Sequence, residues 1–451
     1  MSESPVKVLI ANRGEVALRV LRACRALGLP SVVAFSEADR NSLAVRLADE
    51  AICIGSAAAS DSYLKADRII AAAELTGATA IHPGYGFLSE NPHFAEICRD
   101  CGLVFVGPSP KAIQLLGDKA AAKATMQKAG VPVIPGSSGG VNDVASAEEA
   151  ARKVGYPVIL KAVSGGGGKG MRLVTDAAHL PEAFQTAAAE AKAGFGDPSL
   201  YLEKYLVAPR HVEVQILADG KGGVLCLGER DCSLQRHHQK VVEESPCAAL
   251  PPEVRKKMMR AAAAAVQSVG YAGVGTAEFL FEPSTQNFYF MEMNTRLQVE
   301  HPVTELVWGI DLVAAQLQVA LVGALPWKQE ELQPRGHAIE VRINAEDPTR
   351  DFAPCPGQVQ FYHAPGGPGI RVDSHLYDGY VVPPYYDSLL AKVIAHGENR
   401  EVARRRMLTA LEEFTVEGIA TTAEFARALL ESPSFVKGDY HTDTLQEMLR
   451  D

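Results

Sequence analysis

The chain has 451 residues, 47% of them hydrophobic and 22% charged, with a formal net charge of −10. That length supplies core for two to four domains, and the balance is ordinary for a soluble globular protein. The acid excess argues against a general nucleic-acid or membrane-surface binder, and no apolar run approaches the roughly 20 residues of a membrane helix.

The start, MSESPVKVLIANRGE, lacks the longer apolar core of a secretory signal, and VKVLIA reads as a first strand. The loop Asn12-Arg13-Gly14 follows, then a helix with Val16, Val20, Leu21 and Cys24 on one face. SVVAFS, EAICIG, TAIHPG and LVFVGP continue the alternation, which implies a doubly wound parallel sheet. The first turn lacks the dinucleotide fingerprint, so NAD is not expected there. Helical sequence around Pro110–Ala129 leads to VPVIPGSSGG, a hinge into a second unit. Eight scattered cysteines make no disulfide scaffold and fit a reducing cytosol. Cys98 and Cys101 form a lone CxxC without the second pair zinc would want. Cys232, beside Arg230 and Asp231, is expected near the active site but not as a nucleophile.

Residues 134–204 read as a small α+β unit: the strand PVILKA, a glycine loop, the strand MRLVT, an Ala-rich helix and the strand SLYLEKYL. SGGGGKGM at 164–171 fails as a Walker A motif, because Gly170 follows Lys169. Gly165, Gly167 and Gly170 satisfy GxGxxG, but a strand pattern follows where a dinucleotide turn needs a helix. A glycine loop between two strands is a flap that closes over nucleotide phosphates. Lys161, just before the flap, would reach them; Lys119 is weaker on its own, and Tyr201–Lys204 could offer backbone groups to a base.

Further on, His211, Glu213 and Gln215 share one face of HVEVQI, and that polar face is expected to meet water or a ligand. ERDCSLQRHHQKVVEE at 229–244 is too polar for a core strand and, taken alone, reads as a solvated loop; His237 and His238, being adjacent, would not share a metal. Lys240 is a candidate phosphate cation. AEFLF and NFYFMEMN, folded as a hairpin about Thr285, set Glu278 opposite Glu292, with Asn294 on the same face. Two facing carboxylates and an amide oxygen make a hard-oxygen site for Mg²⁺ or Mn²⁺. In TRLQVEH, Arg296, Gln298 and Glu300 alternate; if extended they converge on one side, suiting a small anion that must lose a proton. Glu340, Arg342 and Asn344 share a face of HAIEVRINAED, and helices are expected near 311–322, 401–414 and 422–431.

Taken together these segments resemble the biotin carboxylases of the ATP-grasp superfamily. The matching runs are IANRGE, HPGYGFLSEN, KAVSGGGGKGM, YLEKYL, RHVEVQ, GERDCSLQRHHQKVVEESP, EMNTRLQVEHPVTE, GHAIEVRINAED and VPPYYDS, in order over nearly the whole chain. The resemblance implies an α/β and α+β architecture. A Rossmann-like pre-ATP-grasp domain would span 1–106, a helical linker 107–133, a mobile lid 134–204 and a C-terminal antiparallel-sheet catalytic domain 205–451. Lys119, Lys161, Glu203, Lys204, His211, Gln235 and His238 would contact ATP, and amides near Gly167 and Gly168 would cover its phosphates. Glu278, Glu292 and Asn294 would bind metal, with two ions expected. Arg296, Gln298 and the amide of Val299 would hold bicarbonate, with Lys240 beside it and the γ-phosphate. Glu300 would be the general base and Arg342 would stabilise the biotin enolate. His237 departs from the arginine common in such sequences; little effect on the chemistry is expected.

The resemblance further implies biotin carried on a separate protein. The biotin-accepting Ala-Met-Lys-Met run does not occur in the sequence. A stand-alone subunit is therefore expected, cytoplasmic and homodimeric, working with a biotin carboxyl carrier protein and a carboxyltransferase. The resemblance fits a setting such as acetyl-CoA carboxylase in fatty acid biosynthesis, and the sequence leaves the final acceptor open among acetyl-CoA, propionyl-CoA, pyruvate and other compounds. Two alternatives remain at this point: another ATP-grasp ligase, such as a carbamoyl-phosphate synthetase half or a purine-pathway carboxylase, and a silent nucleotide-binding scaffold.

Overall fold

Five short strands open the chain, Val8–Ile10 (β1), Ser31–Ser36 (β2), Glu50–Gly55 (β3), Ala80–His82 (β4) and Val104–Phe105 (β5); β1, β2 and β4 are buried along their whole length, and the edge strands β3 and β5 are partly exposed. They form a parallel sheet in the order β3-β2-β1-β4-β5, the doubly wound pattern expected. The computed structural model describes residues 6–137, 139–163, 171–195, 197–237 and 239–450; the side chains of residues 119, 120, 194 and 195 lie outside that set. The helix Gly14–Ala26 buries Val16, Val20, Leu21 and Cys24, the face its periodicity marks. Asn12 ties the first loop to the HPGYG turn, its Nδ2 donating to the carbonyls of Pro83 at 2.6 Å and Tyr85 at 2.8 Å. Gly84 makes that approach possible: its φ is +64°, and a Cβ there would stand 2.8 Å from Asn12 Nδ2.

The helical segment that follows divides at Asp118 into Pro110–Gly117 and Lys119–Lys128, and the Asp118 carboxylate caps the second helix at Ala121 N. Next, Val158–Ala162 (β6), Met171–Val174 (β7) and Leu200–Lys204 (β8) make a three-stranded antiparallel sheet, order β7-β6-β8. Leu180–Phe195 covers it, with a helix at Val144–Val154 that the sequence pattern did not reveal.

The rest is organised by one antiparallel sheet of eight strands. Arg210–Asp219 (β9), Val224–Arg236 (β10), Gln239–Ser245 (β11), Ala272–Glu282 (β12), Asn287–Asn294 (β13) and His337–Asn344 (β14) run in the order β13-β12-β9-β10-β11-β14. Leu389–Gly397 and Ile370–Ser374 complete it. Val212, Val214 and Ile216 of β9 pack with Phe279, Phe281 and the helix Pro252–Gln267 in one core. Leu217, Leu225 and Val274 join the first domain's core instead, alongside the helix Leu312–Val322. No single described helix is long and apolar enough to cross a membrane.

Two expectations are corrected here. The polar run 229–244 is not a solvated loop but most of β10 and β11, and Glu229 through Ser233 are buried. The polar face of β9 meets neither water nor an open pocket at Glu213 and Gln215, both 0% exposed. The physical reason is common to both: β9 and β10 pair Glu213 with Arg230, so each strand's charge is the other's counter-charge.

Candidate active site

Arg230 is the centre of the sheet's polar face. Its side chain is fully buried, and its five N–H groups find five acceptors. Nε donates to Glu213 at 2.6 Å, Nη1 to Gln215 at 2.6 Å and Thr304 at 3.0 Å, and Nη2 to Thr276 at 3.2 Å and Gln298 at 2.7 Å. A fully satisfied guanidinium is the condition under which a buried charge is tolerated. It fixes Gln298, whose Nε2 then donates to Glu278 Oε1 at 2.8 Å.

Lys240, on β11, reaches three carboxylates: Glu213 at 2.6 Å, Glu300 at 2.6 Å and Glu278 at 3.2 Å. Burial disfavours its ammonium, but Glu213 and Glu300 outweigh burial and hold it charged well above the usual lysine range. The same pairing acts in reverse on the acids. Burial would raise Glu278 and Glu300; Lys240 and His211 bring Glu278 below the carboxylate range, and Lys240, Arg342 and Arg230 bring Glu300 well below it. His211 Nε2 lies 2.9 Å from Glu278 Oε2, and that carboxylate lifts the imidazole against the opposing effect of burial.

The hairpin sets Glu278 opposite Glu292, as expected, but by a less direct route. From the turn, Glu282 pairs with Asn287 and Phe279 with Phe290; a bulge then shifts the register, so that Glu278 faces Glu292 and Thr276 faces Asn294. Without that extra residue Met291, not Glu292, would face Glu278. Asn294 donates its Nδ2 to Glu278 Oε1 at 2.7 Å and accepts from Arg296 Nη2 at 3.0 Å. Thr295 to Glu300 is a turn, not an extended segment, leading into the helix His301–Trp308; even so Arg296, Gln298 and Glu300 all face the cleft. Glu90, from the HPGYGFLSEN run, anchors that turn through Thr295 N at 3.0 Å and Arg296 Nε at 2.8 Å. Lys392, fully buried, donates to the Val299 carbonyl at 2.9 Å from the opposite side. Arg342 spans two acids, donating from Nε to Glu243 at 2.6 Å and from Nη2 to Glu300 at 2.9 Å.

Eleven of the residues named from the sequence line one cleft of about 920 Å³: His211, Gln235, Lys240, Glu278, Glu292, Asn294, Arg296, Gln298, Val299, Glu300 and Arg342. The other described ones stand on the three-stranded sheet. Glu203 accepts from Lys161 at 2.9 Å and from Lys123 at 2.7 Å. Lys204 turns its ammonium to the carbonyls of Gly155 at 3.0 Å and Tyr156 at 2.8 Å, and its backbone N–H donates to the Pro135 carbonyl at 2.8 Å. Lys119 begins the helix Lys119–Lys128, but its side chain lies outside the described residues, as do Gly167, Gly168 and His238. Sequence reasoning missed the roles of Arg230, Lys123, Glu90 and Glu243. Arg230 was findable, because pairing HVEVQ with GERDC in antiparallel register sets it against Glu213.

A parallel αβ domain, a small two-helix antiparallel sheet and a larger antiparallel sheet bearing acids and cations on one face define an ATP-grasp enzyme. Three family models divide the chain: "Biotin carboxylase, N-terminal domain" over residues 4–113, "Carbamoyl-phosphate synthase L chain, ATP binding domain" over 118–328, and "Biotin carboxylase C-terminal domain" over 340–447. A biotin carboxylase of Nostoc sp. is 54% identical over 98% of this chain and 99% of its own. A pyruvate carboxylase subunit of Methanothermobacter thermautotrophicus is 50% identical over 98% of this chain and 90% of its own. Among solved structures, the biotin carboxylase domain dimer of the Hydrogenobacter thermophilus 2-oxoglutarate carboxylase, with MgADP, ADP and bicarbonate, is 46% identical. It matches with a TM-score of 0.87 over 98% of each chain. The chain belongs to the biotin carboxylase family, ATP-grasp ligases that carboxylate biotin from bicarbonate at the expense of ATP.

Proposed function

We propose that this chain carboxylates carrier-borne biotin through carboxyphosphate, with the roles of its residues as follows. The observation that carries this reading is Lys240 bridging Glu213, Glu278 and Glu300, with Arg342 closing on the far oxygen of Glu300. Bicarbonate is a poor electrophile, and phosphorylating it supplies a leaving group. Arg296, Gln298 and the Val299 amide hold it, and Glu300, kept ionised, takes its proton. Lys240 stabilises the charge shared by the γ-phosphate and bicarbonate oxygens. Lys161 and Glu203, with Gly167 and Gly168, bind the nucleotide from the lid, Lys119 from the linker helix, and His211, Gln235 and His238 from the sheet. Closure keeps water from carboxyphosphate. When carboxyphosphate yields CO₂, the released phosphate takes the N1′ proton of biotin and Arg342 stabilises the ureido oxygen.

Glu278 and Glu292 fit Mg²⁺ or Mn²⁺, since they offer facing hard oxygens; a bound ion would take the place of part of the contact that Lys240 and His211 make with Glu278. Asn294 would contribute by turning its amide oxygen from Arg296. When bound, the metal neutralises charge on the transferring phosphoryl group. Functional units of 1–106, 107–133, 134–204 and 205–451 suit this division of labour, the third acting as lid.

The partners are a biotin carboxyl carrier protein and a carboxyltransferase, in a cytoplasmic homodimer serving acetyl-CoA carboxylation and fatty acid biosynthesis. The archaeal pyruvate carboxylase relative supports pyruvate as a second acceptor. Incubation with ATP, bicarbonate and free biotin should release ADP, dependent on both. Turnover indifferent to bicarbonate and biotin overturns the reading; stimulation by ammonia in place of biotin favours a carbamoyl-phosphate chemistry. Proteins that co-purify with the chain identify the acceptor.

A further inference from the structure

Strands β11 and β14 set Glu243 directly opposite Glu340. Side chains so placed start from Cβ atoms roughly 4.5–5.5 Å apart. Both residues are fully buried. One oxygen of Glu243 accepts from Arg342. Its other oxygen, and both oxygens of Glu340, have no hydrogen-bond donor among the described residues. Three buried acceptors without donors, on two facing acids, carry a large desolvation and repulsion cost if both are ionised.

The neighbouring cations are already engaged. On β11 Lys240 serves Glu213, Glu278 and Glu300. From the strand Leu389–Gly397, Lys392 faces Glu340 but lies 3.2 Å from Glu15 and donates to the Val299 carbonyl. Arg342, on β14, divides itself between Glu243 and Glu300. Cys232 of β10 faces Glu243 as a neutral thiol raised by burial. From the helix His301–Trp308 come His301, kept neutral by burial, and Glu305, held by Arg19 and Arg371. One proton shared between the two acids removes a charge and supplies the missing donor at once.

We propose that Glu243 and Glu340 share one proton and act as a positioning pair for Arg342, deciding whether its guanidinium is free to face biotin or is drawn into the sheet. This rests on the role assigned above to Arg342. Burial raises Glu340 well above the carboxylate range, and burial raises Glu243 to about 7 against the pull of Arg342. The sign follows. While the shared proton is present, the pair carries one negative charge and Arg342 keeps its second contact at the cleft. As pH rises and the proton leaves, a second negative charge draws Arg342 inward. Biotin-dependent turnover then falls on the alkaline side, while bicarbonate-dependent ATP hydrolysis measured without biotin falls less.

The test is Glu340→Gln in the full chain, an isosteric side chain that stays neutral and whose amide can donate to Glu243. Turnover at neutral pH is expected within about twofold of wild type, and the alkaline limb of biotin-dependent turnover is expected to move up by about one pH unit or more. An unmoved limb, in a chain whose wild type shows biotin-stimulated ADP release, overturns the proposal. Absence of any biotin stimulation in wild type is instead a failure of the functional reading, and infrared spectroscopy then still judges the pair. With glutamate ¹³C-labelled at its side-chain carboxyl, wild type should show a protonated glutamate at neutral pH that Glu340→Gln lacks. Should the variant not fold, the wild-type spectrum alone decides against the pair if no protonated glutamate is present.

Discussion

Glu300 and Glu203 are each gripped by two cationic side chains, in contrasting surroundings. Glu300 is 2% exposed, and its partners Lys240 and Arg342 expose 12% and 17% of their side chains. Glu203 sits between Lys161 and Lys123, exposed by 28% and 39%. Around Glu300 the charges are withdrawn from water, paired with one another and linked through Gln298 to Arg230; such dipoles need no reorganisation when charge develops. On the small sheet the same ion-pair chemistry is screened and loosely held. A site that must stabilise a transition state is built from the first kind. The proposed cover, whose lysines would exchange a carboxylate for phosphate, is built from the second.

The comparison breaks most sharply at Glu300. Glu300→Gln removes the proposed base while keeping a hydrogen-bonding side chain against Lys240 and Arg342. Biotin-dependent turnover should drop by about 10²–10⁴, with ATP affinity changed less than about twofold. Steady-state ADP release and nucleotide titration give both numbers, and equal turnover by variant and wild type would remove Glu300 from the chemistry. Arg230→Met tests the foundation beneath it. The substitution strands Glu213 and Gln298 in a buried site, so a loss of about 3–5 kcal/mol is expected in denaturant unfolding. A loss under about 1 kcal/mol would mean that the network is not what holds the sheet's polar face.

A buried acid outside the cleft sharpens the contrast by pH. Glu244 is 1% exposed and accepts from His337 Nε2 and Arg400 Nε, each at 2.7 Å, and from the Tyr440 hydroxyl. Burial would raise it, but His337 and Arg400 depress it to about 2. Its folded value lies below the unfolded one of about 4.3, so its stabilisation is complete above that value and is lost as pH falls toward 2. That amounts to about 3 kcal/mol, and Glu244→Gln should flatten the stability–pH curve over that window, read from denaturation midpoints. A curve with the wild-type slope would exclude it.

Much of this was legible from residues alone, for reasons that differ by place. The three central strands of the parallel sheet announce themselves because covered strands must be apolar, and the two partly exposed edge strands follow from the alternation with helices. The Glu278–Glu292 pairing was reached by folding the hairpin symmetrically about Thr285, yet the strands achieve it with a bulge that compensates a turn closed by Glu282 and Asn287. The polar run 229–244 looks like a loop because charge in isolation signals solvent, and only the register with β9 reveals its partner. The alternation in TRLQVE suits an extended segment, but its turn is held by Glu90, 205 residues away from Thr295, which no local pattern encodes. Glu243 and Glu340 were invisible as a pair until β11 and β14 were known to be neighbours.

The smallest effect is expected where the charges are loosest. Lys123→Met leaves Glu203 to Lys161 alone. Being a half-exposed, screened pair, it should cost less than about 1 kcal/mol of stability, so the unfolding midpoint should hardly move. Function should register it more clearly. With one partner gone, Glu203 holds Lys161 more tightly and competes harder with the incoming phosphate. The apparent KM for ATP should rise about two- to fivefold, the equivalent of about 0.5–1 kcal/mol. Raising ionic strength should erase that difference, because screening weakens the Lys161–Glu203 contact in both proteins, while the Arg230 and Glu300 variants should respond to salt no more than wild type does. A KM difference that persists in high salt would place Lys123 with the buried charges of the large sheet rather than with the exchangeable ones of the small sheet.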